Sequence, residues 1–302
     1  MEFYTQKDFG QLISAPFIFF GKEFKPLITG ILIFVGPFIV IESILIGYFN
    51  FSPAKDVVTQ IQNIGANTSG TAYFIQFFEF FKNIMLYTFI AVYAKIYVQK
   101  GTGNIETADV WKGISRFYWP VAGGQLLGGI IIVIGFLLIV IPGIYLAVAL
   151  APLFVIIVFE ENGISKSLTK SFELIKGSWW LVLGLFIVMF IMLTTASGIL
   201  YLLSESVFGI VAPGSVNSAI YNVFDLSFEL LISTFLILLP IFIYGHLIAE
   251  KEQPELVNKI AEISDNNEDP TEKETKTIDD PENLDENRFL DDTDTDRFKP
   301  KI

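Results

Sequence analysis

Five ionisable residues lie within hydrophobic stretches that are long enough to cross a membrane. They are Glu42, Glu79, Lys82, Asp225 and Glu229. A charge inside a bilayer is costly, so such residues usually pair with one another or line the path of an ion or a proton. These five residues are therefore the first candidates for function in this chain.

The spacing of these residues predicts how they pair. Glu42 and Lys82 fall at matching depths, roughly 6 Å outward from the midpoints of their helices, so we expect an ion pair between adjacent spans. Glu79 lies three residues before Lys82 and is placed to pair with it locally, and Asp225 and Glu229 share one helix face. Two interpretations stay open: a structural ion pair with outer acids at the interface, or an outward-facing acidic vestibule for a cation, a proton or a polar headgroup.

The hydrophobic stretches predict an all-α polytopic membrane domain over residues 1–249. The chain has 302 residues, of which 52% are hydrophobic, and about 18 or more consecutive apolar residues are typical of a spanning helix. Proline and glycine at positions 142 and 143 predict a tight turn between the third and fourth spans. The six predicted spans cover approximately residues 27–48, 74–98, 119–140, 142–159, 179–202 and 224–248.

Lysine and arginine collect on one side of the predicted spans. They lie before span one, between spans two and three and between spans four and five, whereas residues 203–221 contain none. Positive residues favour the cytoplasmic side of a membrane. We therefore expect both termini to be cytoplasmic.

Each span that leaves the cytoplasmic side is preceded by an amphipathic stretch. Apolar residues three and four apart share one helical face, and basic residues on the other face suit anionic headgroups. We therefore predict three cytoplasmic interfacial helices and membrane lipids as partners. The three apolar stripes are Phe9, Leu12, Ile13, Phe17 and Phe20; Val110, Ile114 and Phe117; and Ile164, Leu168, Phe172 and Ile175.

The run from Pro142 to Trp180 carries a recurring pattern. It reads Pro142-Gly143-Ile144-Tyr145, Pro152, Glu160-x-x-Gly163, Leu168-x-x-Ser171, Leu174-x-x-Gly177 and Trp179 or Trp180. This pattern resembles the six-span membrane domain that is fused to some glycerophosphodiester phosphodiesterases, and its stand-alone bacterial relatives. The resemblance is sharp over residues 142–180 and loose over residues 1–249. It implies a multi-pass protein of the bacterial inner membrane.

The motif residues also have physical interpretations. Gly163 is expected to open a turn, and Gly177 to end a helix in the left-handed conformation. Glu160 is expected near the start of an interfacial helix, where a carboxylate complements exposed N–H groups. Ser171 is expected to allow close helix approach or to bond across helices. A ligand or headgroup role for Glu160 and Ser171 stays open as the alternative.

Catalytic constellations are missing from the sequence. The chain has no cysteine and a single histidine, His246, whereas the phosphodiesterase chemistry needs several histidines and metal-binding carboxylates. There is no phosphate-binding glycine loop and no zinc spacing. We therefore predict a non-enzymatic protein with no cofactor and no metal.

Residues 250–302 form an acidic segment. They hold 18 of the 32 acidic residues and 8 of the 20 basic residues, and such a composition predicts a largely disordered cytoplasmic tail. Residues 255–263 are predicted to extend the last span as a short helix. Arg288-Phe289-Leu290 and Arg297-Phe298-Lys299 are either a docking segment for a protein partner or part of a solvated tail. No nucleic-acid partner is expected.

Two functions follow from these observations. The first is a scaffold or accessory protein in membrane or envelope homeostasis. The alternative is a transporter or channel for a small polar or lipid-like solute that uses the outer-half acidic cluster. A polar cavity lined by Glu42, Lys82 and Glu229 would favour transport, and a dry core packed through small residues would favour the scaffold.

Overall fold

The computed structural model describes the backbone of residues 3–48, 70–101, 103, 105–208 and 216–266, with side chains over 3–46, 73–101, 103, 105–199 and 226–251. Within these ranges the chain is helical and contains no strand. The helices are α1 (Phe9–Lys22), α2 (Phe24–Phe34), α3 (Gly36–Tyr48), α4 (Gly70–Lys100), α5 (Thr107–Leu138), α6 (Val140–Leu150), α7 (Leu153–Phe159), α8 (Ile164–Ile175), α9 (Trp179–Phe208) and α10 (Val216–Asn266).

The helices form an integral membrane protein of the predicted all-α polytopic class. Five segments are long and apolar enough to cross a membrane, and the bent pair of α2 and α3 makes a sixth if it is one span. The five are Tyr73–Lys100, Thr107–Leu138, Val140–Phe159, Trp179–Ile199 and Leu226–Lys251. The sequence-based spans correspond to these segments with shifted ends.

The first predicted span is not a single straight helix. It bends by 52° where α2 ends and α3 begins. Pro37 follows Gly36 in the first turn of α3; proline has no N–H for the ladder and its ring clashes with the preceding turn. The prediction of one continuous helix over residues 27–48 was wrong at this point.

The turn between the third and fourth spans lies earlier than predicted. The break falls at Ile139, which is extended with φ −161° and ψ 149°. Pro142 and Gly143 lie inside the first turns of α6, where a missing proline N–H is tolerated. Gly143 serves close packing instead: a Cβ there would lie 2.4 Å from the Phe136 ring. The prediction that Pro142-Gly143 forms the turn was therefore wrong.

The second interfacial helix is not a separate element. Its stripe of Val110, Ile114 and Phe117 is buried as predicted, but these residues belong to the continuous helix α5, which runs on through Pro120. At about 1.5 Å per residue, α5 is roughly 48 Å long, so it extends well beyond a hydrocarbon core of about 30 Å. The first and third amphipathic stretches do form separate helices, α1 and α8.

The centre of the bundle is formed by α4, α7 and the later part of α10. Every residue from Leu153 to Val158 is buried, as are Leu86, Phe89 and Ile90 of α4 and Leu238 and Leu239 of α10. These buried segments are apolar because each is surrounded by other helices of the bundle. By contrast, α9 exposes much of its apolar surface, which suits contact with lipid.

The chain divides into two compact units, Met1–Lys251 and Glu252–Ile302. Helix α10 continues to Asn266, which includes the short helix predicted over residues 255–263. The predicted disorder and the two Arg-Phe segments of the tail fall on residues outside the described part of the chain.

Candidate functional site

The predicted intramembrane ion pair is present in the structure. Nζ of Lys82, on α4, lies 2.7 Å from Oε2 of Glu42, on α3, and the two side chains are only 6% and 3% exposed. Helix α3 packs directly against α4, which brings the two residues together. A buried pair in such close contact is electrically neutral as a unit, and it exposes almost no charge to solvent or lipid.

The other predicted members of this cluster surround the pair at greater distance. Glu79 is half-buried and close enough to interact electrostatically with Lys82 and Glu42, but the ion-pair contact that Lys82 makes in the structure is with Glu42. Glu229 is exposed on α10 and interacts electrostatically with Glu42. The side chain of Asp225 lies outside the described residues. The pair therefore sits in surroundings that are more acidic than basic.

A second polar cluster lies at the turn between α7 and α8. Glu160 accepts a hydrogen bond from the Tyr244 hydroxyl at 3.1 Å and another from Asn162 Nδ2 at 2.9 Å. It caps the C-terminus of α7 and so joins that helix to α10. The expectation that Glu160 complements the N-terminus of the interfacial helix was wrong, since its hydrogen bonds go to these two side chains.

Glu161 joins two further helices to the same turn. Its Oε1 accepts a 2.7 Å hydrogen bond from Lys95 of α4, and its Oε2 accepts a short one from Arg116 of α5. Lys95 also donates to the Val158 carbonyl at 2.7 Å. The hydrogen bond from Lys95 has the largest effect on the pKa of Glu161 and lowers it. Burial opposes this effect, but the positive charges of Lys95 and Arg116 and the hydrogen bond from Arg116 also lower the pKa, which therefore lies below its usual range.

The backbone of this turn differs from the sequence-based expectation. Gly163 is the N-cap of α8 with an ordinary extended conformation, φ −64° and ψ 157°, whereas the left-handed residue is Glu161 with φ 56°. A non-glycine residue in this region is uncommon. From this conformation the Glu161 side chain reaches both Lys95 and Arg116. Gly177 is left-handed as predicted, with φ 93°.

Helix α8 rests on the bundle through serines. Ser171 Oγ donates a 2.6 Å hydrogen bond to the Ala149 carbonyl of α6, which is the cross-helix bond that was expected of it. The fully buried residues of α8 are Ser167, Ser171, Leu174 and Ile175. The predicted stripe members Ile164, Leu168 and Phe172 are only half-buried. Small serines bring the helix backbone close to the bundle, and the larger apolar residues lie at the side.

Basic side chains gather at this end of the molecule. Lys7 donates its backbone N–H to His246 Nδ1 at 3.0 Å, and Lys251 donates to the Leu174 carbonyl at 2.8 Å near the C-terminus of α8, where a cation is favourable. We call the region formed by Lys7, Lys95, Arg116, Lys176 and Lys251 the basic end.

Sequence reasoning missed one buried carboxylate, Glu23. It lies between α1 and α2 and is 1% exposed; its Oε2 accepts a 2.7 Å hydrogen bond from the Tyr93 hydroxyl. Its Oε1 has no hydrogen-bond partner among the described residues. The one available signal was an isolated acid between Lys22 and Lys25, which the charge pattern alone would assign to solvent.

A small apolar void lies within the described part of the bundle. One void of about 10 Å³ lies near the basic end and is lined by apolar and aromatic residues, including Phe3, Phe19, Tyr97 and Phe242. A space of this size is at the lower limit for one water molecule, and a water also needs polar partners. Within the described residues, no group of three or more histidines, cysteines or acids is placed to hold a metal ion.

Comparison of the chain with protein-family models, with curated proteins and with solved structures finds no match in any of the three.

Proposed function

We propose that this integral membrane protein is a non-enzymatic scaffold or accessory protein in membrane or envelope homeostasis. The observation that carries the proposal is the closed, buried contact between Glu42 and Lys82. A permeation path that used these two charges would need water or a solute to reach them. Here Glu42 and Lys82 neutralise each other in a site that is almost fully enclosed.

Close helix packing supports the same function. A Cβ on Gly30 would lie 2.4 Å from the Phe89 ring, and one on Gly113 or Gly124 would lie 2.4 Å from Val92 or Ile157. Small residues of this kind let transmembrane helices approach closely. Such contacts favour a rigid bundle over one with an internal pathway.

The proposal places the protein in the bacterial inner membrane with the basic end towards the cytoplasm. Lysine and arginine favour the cytoplasmic side, and the resemblance of residues 142–180 to a bacterial membrane domain supports this location. The acidic segment beyond Asn266 would then be available to a protein partner in the cytoplasm.

A transporter or channel is the second candidate function. It is favoured by the acidic surroundings of the ion pair. Glu79 interacts electrostatically with Lys82 and Glu42, and Glu229 interacts electrostatically with Glu42. An opened conformation in which Lys82 leaves Glu42 would expose an acidic vestibule suited to a cation or a proton.

The proposed scaffold is tested by affinity purification in mild detergent, with protein and lipid mass spectrometry. The full chain is compared with a chain that ends at Asn266 and so keeps all described helices. A scaffold predicts a defined set of proteins that copurify with the full chain and decrease with the truncated chain. Identical protein sets from both chains, at background level, would contradict it.

A further inference from the structure

One face of α5 combines two cations, an indole ring and a long apolar stripe. Lys112, Arg116 and Trp119 are spaced four and three residues apart, so they share one face of the helix. All three are exposed, Arg116 by 63% and Trp119 by 69%. Lys112 has no ion-pair partner among the described residues. The two cations and the indole therefore form a continuous accessible surface.

On the same side of α5, Gly123 lies against Ile164 of α8, and the apolar surface is exposed again beyond it. Leu126, Leu127 and Ile130 follow Trp119 at helical spacing and are all exposed. From Trp119 to Ile130 the helix rises by roughly 16 Å, close to the thickness of one leaflet, which is half of a hydrocarbon core of about 30 Å. Tryptophan prefers the level where headgroups meet acyl chains. Along α5, the two cations therefore come first, Trp119 follows at the level of the membrane interface, and the apolar residues come last at the depth of the acyl chains.

We propose that this face binds one anionic phospholipid, with its phosphate between Lys112 and Arg116 and an acyl chain along Leu126 and Ile130. The charge of the headgroup complements the two cations, and the helix supplies each part of the lipid with a matching surface at the matching depth. A guanidinium binds phosphate through paired hydrogen bonds, which makes Arg116 the main ligand and Lys112 the second.

Glu161 is an internal competitor for this lipid. Its carboxylate already occupies one edge of the Arg116 guanidinium and also holds Lys95. A phosphate and a carboxylate present similar oxygen pairs, so the headgroup and Glu161 compete for Arg116. Lipid binding thereby weakens one of the two contacts that Glu161 makes from its left-handed conformation.

The experiment uses the full chain in phosphatidylcholine nanodiscs that contain phosphatidylglycerol. Tryptophan quenching is measured with brominated phosphatidylglycerol and, separately, with brominated phosphatidylcholine at the same mole fraction. The quenching by brominated phosphatidylglycerol divided by the quenching by brominated phosphatidylcholine gives the enrichment of the anionic lipid beside the protein. The Trp119→Phe variant identifies the part of the signal that comes from Trp119.

The expected ratio for Trp119 is above one in the wild type. The excess of this ratio over one falls about fivefold in Lys112→Gln, since one cation near a membrane surface contributes about that factor to lipid affinity. Lys25→Gln removes a positive charge at the start of another span and leaves the ratio unchanged. Lys112 makes no ion pair among the described residues, so its variant is expected to fold. A wild-type ratio of one, or an unchanged ratio in Lys112→Gln, would overturn the site.

The Glu161→Gln variant separates binding from structural support. If Glu161 competes with the lipid, its removal raises the Trp119 ratio; a lowered ratio in folded protein would overturn the competition. Added inorganic phosphate is expected to leave the ratio unchanged. A fall on adding phosphate would assign the site to a soluble anion and overturn the lipid as its ligand.

Discussion

Lys82 of α4 and Glu42 of α3 make a 2.7 Å ion pair that is almost completely buried. The carboxylate and the ammonium thereby cancel each other where neither would be tolerated alone. The pair also connects α3, which follows a 52° bend after α2, to the neighbouring helix α4.

Removing one partner of this pair is expected to destabilise the protein. Glu42→Gln leaves a buried uncompensated ammonium, which costs about 3–5 kcal/mol. The matched control is Glu173→Gln, an exposed acid on α8, with an expected change within about 0.5 kcal/mol. Unfolding in detergent by increasing fractions of denaturing surfactant measures both. Equal stability of the two variants would show that the pair contributes nothing.

Replacing both partners by apolar residues should restore stability. The Glu42→Leu/Lys82→Met double variant keeps similar volume and removes both charges, and such exchanges are often neutral or stabilising. The double variant is expected to unfold within about 1 kcal/mol of the wild type. A double variant as unstable as Glu42→Gln alone would mean that the charges serve something other than mutual neutralisation.

The Glu161 contacts predict a pH dependence at the basic end. Because Lys95 and Arg116 lower the pKa of Glu161 in the folded state, the contacts contribute stability above the unfolded value of about 4.3. That contribution is lost as the pH falls through the lowered folded pKa. Glu161 is 39% exposed, so solvent screening limits the effect to about 1 kcal/mol or less.

The pH dependence is measured as melting temperature against pH in wild type and Glu161→Gln. The wild type should lose its advantage over the variant on acidification. A difference between the two proteins that grows as the pH falls would contradict the assignment of Glu161 as the titrating group.

Ser171 is expected to stabilise the packing of α8 against α6. Ser171→Ala removes the 2.6 Å hydrogen bond to the Ala149 carbonyl. It should cost about 0.6 kcal/mol, the average for hydrogen bonds between membrane helices, and at most about 1.7 kcal/mol. Ser165→Ala on the exposed face of the same helix is the control, with no measurable loss. If both alanine variants behave alike in thermal unfolding, the bond is not important for α8.

The hydrogen bond from Tyr93 to the buried Glu23 is expected to contribute to the stability of the protein. Tyr93→Phe removes the hydroxyl that donates to Glu23 Oε2 and should cost about 1–3 kcal/mol, since it leaves a buried acceptor without its donor. The exposed Tyr145 provides the comparison variant, Tyr145→Phe, which should be neutral. The Glu23→Leu/Tyr93→Phe double variant should recover part of the loss. No recovery in the double variant would show that Tyr93 acts independently of Glu23.

The sequence predicted those features that depend on hydrophobic length and on matching depth. Long apolar runs define the spans, and equal depth in adjacent helices was sufficient to pair Glu42 with Lys82. Ser171 was recognised because a small polar residue at a helix interface has few roles. These inferences need only the local composition of the sequence and the rise per residue of an α-helix, which gives the relative depth of two residues.

Other features depend on three-dimensional packing that local composition does not contain. The buried face of α8 contains Ser167 and Ser171, so the predicted hydrophobic stripe was only partly correct: Ile175 is buried, whereas Ile164, Leu168 and Phe172 are half-buried. The charge pattern would place Glu23 at the surface, whereas in the fold it is buried and accepts a hydrogen bond from Tyr93. The chain reverses at Ile139, and Pro142 then fits the first turn of α6. In each case a tertiary contact outweighed the local preference.

The Glu42–Lys82 pair neutralises two buried charges within the bundle, and we propose that it does not conduct ions. The most direct test of this proposal is cation and proton flux in proteoliposomes that contain wild type or the Glu42→Leu/Lys82→Met double variant, with protein-free liposomes as background. Background flux is expected for both proteins, and their free energies of unfolding should agree within about 1 kcal/mol. Flux above background in the wild type that disappears in the folded double variant would contradict it and establish transport.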